Sequence, residues 1–233
     1  MKQLDRFVIC QSDEVLNTVV DMKIQLQKKH LLLTRWNHWV NFPVLTIMVW
    51  SGFLIYWAYP AYFIPGDWLD RIGMGYQLAR GMGWHFAFGI LFLINGVLYV
   101  SYSILSGHWR YTVPDRNSLR EAWEVLLHDV HIRRHPLPRP VKYNGAQRIF
   151  YSSVIVLAAI ATLSGFAIYK PVQLNELTTL LGGYKSARLI HFLIALAFVL
   201  FFIVHIIQVI RSGWNNFRAM VTGWEKVGKE DSK

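Results

Sequence analysis

The sequence predicts an all-α integral membrane protein, a four-transmembrane-helix bundle with short amphipathic helices at one membrane surface. Three observations carry this. Of 233 residues, 54% are hydrophobic and only 16% charged, a balance outside the range of soluble globular chains. The apolar residues fall into four blocks, at residues 40–59, 84–105, 147–169 and 188–211, each near the twenty residues needed to cross a bilayer. The charge is also divided between the two sides that four spans create. Of 24 Lys and Arg, only Arg71, Arg80, Lys170, Lys185 and Arg188 fall on one side, and 19 fall on the side of the termini and the 106–146 loop. Positive charge gathers on the cytoplasmic side, so both termini are expected in the cytoplasm and the protein in a bacterial inner membrane. The formal charge of +10 therefore reads as topology and contact with lipid, not as a nucleic-acid surface. Trp36, Trp39, Trp57, Tyr59, Trp84, Trp109 and Trp214 stand at the span ends, where an aromatic belt forms.

Before the first span, Ser12 is placed to cap an amphipathic helix reaching about Lys29, with Val15, Val19, Met22 and Leu26 as its apolar stripe. A second such helix is expected at residues 117–130, with Leu119, Trp123, Leu126, Leu127 and Val130 on one side. Pro136, Pro138 and Pro140 then stop any helix and leave an extended connector at 137–141. Three regions follow: a cytoplasmic extension at 1–34, a four-helix domain at 35–224 and a polar tail at 225–233.

The first and third spans echo each other. Ser51-Gly52-Phe53-Leu54-Ile55-Tyr56 ends one and Ser164-Gly165-Phe166-Ala167-Ile168-Tyr169 ends the other, followed by Pro60 and Pro171. His85-Phe86 on the second span matches His191-Phe192 on the fourth, which suggests two related helical hairpins. Gly52 lacks the side chain that would block a flat macrocycle passing that level of the helix.

Four histidines lie in or at the edge of spans, and imidazole in a membrane is costly and usually functional. His191 and His205 are fourteen residues apart, about 21 Å along one helix and on about one face. The topology pairs His85 with His191 at the outer level and His38 with His205 at the inner level. Two such pairs suit two b haems with two imidazole ligands each, which favours electron transfer over oxygen binding and fills the bundle core. Zinc prefers tetrahedral sites. Arg35 and Arg188 each precede a candidate ligand by three residues and suit either a propionate or interfacial anchoring. The single cysteine, Cys10, excludes an internal disulfide, Cys-x-x-Cys-His haem attachment and a four-cysteine iron–sulfur cluster. His128, His131 and His135 are a weaker set, cut by the proline run, and His30 and His108 read as interfacial.

Arg35-Trp36-Asn37-His38-Trp39, Trp84-His85-Phe86, Lys142-Tyr143-Asn144-Gly145-Ala146-Gln147, the His191 to His205 segment and Phe217-Arg218-Ala219-Met220-Val221-Thr222-Gly223 carry a resemblance. From Arg35 to Trp224 the chain resembles the di-haem cytochrome b membrane subunits of quinone-linked oxidoreductases: those of formate dehydrogenase, thiosulfate reductase and nickel–iron hydrogenase. The stretch from Gly83 through Ser106-Gly107-His108-Trp109 to Pro114 is most similar to the cytochrome b subunits that accompany sulfite-oxidase-type molybdopterin proteins. The resemblance implies the same haem pairing and a quinone site beside the inner haem, with Asn144 and Gln147 contributing to it. Asn144 also suits the cap of the third span. It further implies a periplasmic molybdopterin oxidoreductase as partner, with or without an iron–sulfur subunit, and an electron-transfer rather than a catalytic role for this chain. Two other readings stand beside it: a stand-alone cytochrome b561-type quinol oxidase, and a haem-free transporter or scaffold.

Overall fold

The computed structural model describes residues 25–59, 63–75, 77–129 and 143–227. In chain order these form strand β1 (Gln25–Lys28), helices α1 (Leu32–Trp57), α2 (Gly66–Arg71), α3 (Leu78–Leu105), α4 (Trp109–Thr112), α5 (Ser118–Asp129), α6 (Gly145–Tyr169), α7 (Asn175–Leu180) and α8 (Tyr184–Thr222), and strand β2 (Trp224–Val227). Four of the helices, α1, α3, α6 and α8, are long and apolar enough to cross a membrane, as the hydropathy blocks predict. Their outward faces are exposed apolar rows, such as Ile90, Ile94, Val97 and Leu98 on α3. In water such rows would be untenable; in lipid they are solvated.

The helices outrun the apolar blocks. α1 begins eight residues before Val40 and passes through Pro43. α8 continues past Arg211 and is broken only at Gly213, whose φ of 80° and ψ of 169° are not helical. Charged and amide residues can occupy the helical ends that reach the interface, so hydropathy undercounts them. The N-terminal region differs from expectation in kind. Residues 25–28, assigned above to the end of an amphipathic helix, form a strand paired antiparallel with β2, Leu26 opposite Lys226 and Gln27 opposite Glu225. A partner strand about two hundred residues away in sequence satisfies this backbone, and local propensity yields to it. The rest of that expected helix, the connector at 137–141, and Cys10, His131 and His135 lie outside the described residues.

The described residues make two compact units, one of residues 25–38 with 205–227 and the other of those between 39 and 204. In the terminal unit Gly223, at φ 92°, ends α8 and turns the chain into β2. Its carbonyl accepts from the backbone N–H groups of Lys29 (2.9 Å) and His30 (3.3 Å). Lys29 Nζ adds a bridge to Glu225 Oε1 at 2.8 Å and donates to Asn216 Oδ1 at 2.9 Å. Asn215 holds β2 by donating to the Lys226 carbonyl and accepting from its N–H, at 2.9 and 3.0 Å.

In the larger unit, small residues set the helix spacing. A Cβ on Gly81 would stand 2.7 Å from Leu54 Cβ and 3.1 Å from the Ser51 carbonyl oxygen, so α3 reaches α1 only because Gly81 has none. One turn further on α3 is His85. The matching position on α8, one turn before His191, is Ala187, fully buried. Asn95 on α3, also buried, donates to Asn41 Oδ1 on α1 at 2.9 Å, a polar tie between two apolar helices. The predicted second amphipathic helix is present as α5 and packs against α6.

Candidate haem sites

The larger unit brings His85 and His191 together, with ring centroids 6.1 Å apart and ring planes at 74°. Each ring is held by the neighbouring long helix in the same way. Ser51 Oγ on α1 lies 3.0 Å from His85 Nδ1, and Ser164 Oγ on α6 lies 3.0 Å from His191 Nδ1. Both serines are fully buried. Ser51 donates its hydroxyl proton to the Ile47 carbonyl at 2.7 Å, and Ser164 to that of Ile160 at 2.6 Å. The Ala161 carbonyl, three residues before Ser164, also bonds the ring, 3.1 Å from His191 Nδ1. A carbonyl can only accept, so Nδ1 carries the proton in His191. The lone pair is then on Nε2, the form an imidazole needs to bind a metal.

The glycine after each serine completes the contact. A Cβ on Gly52 would lie 3.6 Å from His85 Cε1, and one on Gly165 3.3 Å from His191 Cε1. The imidazole of the facing histidine thus lies against Gly52. The ends of the two echoed segments cross over. Tyr56 stacks on Phe192, beside His191, with centroids 4.7 Å apart, and Tyr169 packs on Phe86, beside His85, at 4.8 Å. Helix α1 therefore orients the histidine of its own hairpin with Ser51 and braces the other hairpin with Tyr56; α6 does the reverse.

The terminal unit brings His38 and His205 together, with centroids 5.9 Å apart and planes at 54°. Arg35, three residues before His38, bonds the Val221 carbonyl through its Nη2, which commits part of the guanidinium to the end of α8. Arg35 Nε and Arg218 Nε are buried without a hydrogen-bond partner. Arg218 was not singled out from the sequence as a site residue. Its place in the Phe217–Gly223 segment was the one signal available. Arg188, in the larger unit, lies over the rings of Tyr59 and Tyr184 at 5.4 and 5.9 Å, the cation–aromatic packing of an interfacial anchor.

Asn144 and Gln147 form a full capping box at the start of α6. Asn144 Oδ1 accepts from the Gln147 N–H at 2.9 Å, and Gln147 Oε1 accepts from the Asn144 N–H at 3.1 Å. Glu121 on α5 places a carboxylate at the same helix end and accepts from the Gly145 N–H at 2.8 Å, a favourable charge for that terminus. A side chain on Gly145 would collide with the Ser118 carbonyl and Glu121 Cβ. Asp115 binds Ser118 and Arg148 nearby, and these contacts, the Ser118 hydroxyl foremost, hold its carboxyl below the usual range. Tyr143, packed edge-on against Tyr151 and His108 at 5.1 and 6.1 Å, has its phenol pushed up to about 12 by burial and by the neighbouring tyrosines. It keeps its proton at any physiological pH. Glu121, Asp115 and Arg148 were not expected from the sequence, because their partners come from separate elements.

The paired rings pass a test of fit to haem. Two imidazoles that bind one metal from opposite sides, each by a bond of about 2 Å, have ring centroids about 6 Å apart. Both pairs have that separation. Among the described residues no group of three or more His, Cys, Asp or Glu side chains could hold a metal, so a tetrahedral zinc site has no support there. Four membrane-length helices carrying two facing pairs of imidazoles define a b-type membrane cytochrome.

The comparisons with known proteins agree. Residues 29–223 match the prokaryotic cytochrome b561 family, and the chain belongs to that family. It is also 36% identical over 178 residues, 75% of this chain and 86% of the relative, to a protein of Azospira oryzae named as a protein-methionine-sulfoxide reductase subunit, YedZ1. The chain is thus an integral membrane protein, and family membership implies haem b.

Proposed function

We propose that this chain is the di-haem, quinone-reactive membrane subunit of a molybdopterin oxidoreductase. His85 and His191 hold one b haem, and His38 and His205 hold the other. The observation that carries this is the pair of imidazole separations, 6.1 and 5.9 Å, each matching two ligands on one iron. When bound, each haem supplies one-electron Fe(III)/Fe(II) chemistry. The two histidines of each pair would hold the haem iron, and two strong imidazole ligands suit electron passage rather than oxygen binding. The charge asymmetry supports cytoplasmic termini in a bacterial inner membrane, with the His85/His191 haem outward and the His38/His205 haem inward.

The quinone site is assigned to Asn144 and Gln147, at the start of α6, on the family resemblance of that segment. Asn144 and Gln147 commit their oxygens to the capping box, so their amide N–H groups remain the donors for a quinone carbonyl. A quinol that leaves oxidised gives up two electrons and two protons, and the electrons pass singly.

The partner is a periplasmic molybdopterin enzyme. The name of the Azospira relative favours one that reduces methionine sulfoxide in proteins, taking two electrons and two protons to give the thioether and water. Electrons then run from quinol to the periplasm.

A reduced-minus-oxidised spectrum with a pyridine haemochrome assay tests the reading. About two b haems per chain are expected. His191→Ala and His205→Ala should each remove one, with different spectral components lost. No haem in the purified protein overturns it. A stand-alone quinol oxidase is the second reading, since the matched family carries the b561 name. It predicts purification without a second chain.

A further inference from the structure

We infer that Ser51 and Ser164 are positioning residues that tune the outer haem through its two ligands as a matched pair. This rests on the assignment of His85 and His191 as ligands to one haem. The geometry is duplicated: the same 3.0 Å Oγ to Nδ1 distance on both sides and the same glycine next in sequence under the ring. Both hydroxyls donate to their own helix, at 2.7 and 2.6 Å, so each turns a lone pair to the ring. His191 Nδ1–H thereby faces two acceptors, the Ser164 hydroxyl oxygen and the Ala161 carbonyl oxygen, and His85 Nδ1 faces the Ser51 hydroxyl oxygen. Drawing that proton outward makes the imidazole a more basic ligand and favours the ferric state. It also fixes the rotation of each ring about the axis between them. A buried serine in a membrane helix commonly bonds its own helix and nothing else. Here the carbonyls of Ile47 and Ile160 satisfy that need, and the contact to the ring is additional. Two such contacts, related by the internal repeat, act on one iron from both faces.

The test is redox titration with low-spin EPR on purified protein, for Ser51→Ala, Ser164→Ala and the double variant. Both haems should be retained. The midpoint potential of one haem should rise in each single variant and rise further in the double variant, with its g-values shifted and the other haem unmoved. Threonine at either position should restore the wild-type potential, because it keeps the hydroxyl. Unchanged potential and g-values in the double alanine variant overturn the inference. So does loss of haem in the alanine variants that threonine fails to reverse, since that marks packing alone. Absence of haem from the wild-type protein is a different failure and counts against the ligand assignment itself.

Discussion

The two histidine pairs have nearly the same ring separation but are built differently. His85 and His191 stand among apolar helices, each ring oriented by a buried serine and a glycine of the neighbouring helix. His38 and His205 belong to a unit of charged and polar terminal segments, where Arg35 bonds the Val221 carbonyl and Lys29 bridges Glu225. The first pair is specified by an internal repeat that occupies one turn on each of four helices. The second is supported by a strand pairing that joins the two ends of the described chain. The lesson concerns where each site is vulnerable: the first to single atoms added or removed inside a span, the second to changes that release the terminal segments.

The repeat is not perfectly symmetric, and this sets the largest predicted effect. A methyl group at Gly52 would meet His85 Cε1 at 3.6 Å, ordinary contact, whereas one at Gly165 would meet His191 Cε1 at 3.3 Å, closer than such contacts normally come. Gly165→Val should exclude the His191 ring and abolish the outer haem. Gly165→Ala should retain it with altered EPR g-values as the ring shifts by a few tenths of an ångström. Gly52→Ala should leave the spectrum nearly as in the wild type. Haem content and EPR of the three variants check this, and equal effects at the two glycines would show that the hairpins are more alike than the contacts imply.

How much of this was legible in the sequence follows from the range of each interaction. The four helices were legible because hydropathy is local. So was the histidine pairing by depth, because helical rise converts spacing to distance. The Asn144 cap was legible ahead of an apolar run, whereas the return bond from Gln147 was not read. Ser51 and Ser164 appeared only as an echo; nothing local says that a serine on one helix faces a histidine on another. The β1–β2 pair was illegible for the same reason, since Leu26 continues a helical apolar stripe and its partner Lys226 lies at the other end of the chain. Arg35 shows an intermediate case. Its spacing from His38 was visible, but its bond to the Val221 carbonyl depends on where α8 ends.

In the terminal unit, the largest effect is expected at Gly223. Its φ of 92° is one that L side chains rarely adopt, and a Cβ would stand 3.1 Å from Arg35 Nη1 and 3.2 Å from the His30 carbonyl oxygen. Gly223→Ala should cost about 1–3 kcal/mol locally, a roughly tenfold or greater loss of hydrogen-exchange protection in β1 and β2. Protection in α3 should be unchanged, because the strain is local to the turn. Wild-type protection of β1 and β2 in the variant would mean that the turn tolerates a side chain and does not pin the strands.

The smallest effect is expected from His30, whose N–H bonds the Gly223 carbonyl in the same turn. Burial, then the neighbouring Lys29, lower its pKa below the ordinary 6.5; Glu225 opposes the shift and Arg35 adds to it. The native turn therefore holds His30 neutral, while the opened segment takes up a proton below about pH 6.5. Native protein binds fewer protons in that window, so the stability of the turn falls as pH drops below it and is unaffected above it. Hydrogen-exchange protection of β1 should be lower at pH 5 than at pH 7.5, after correction for intrinsic exchange rates. His30→Gln, which cannot titrate, should flatten the difference. A pH dependence that survives in the glutamine variant would remove His30 from the account.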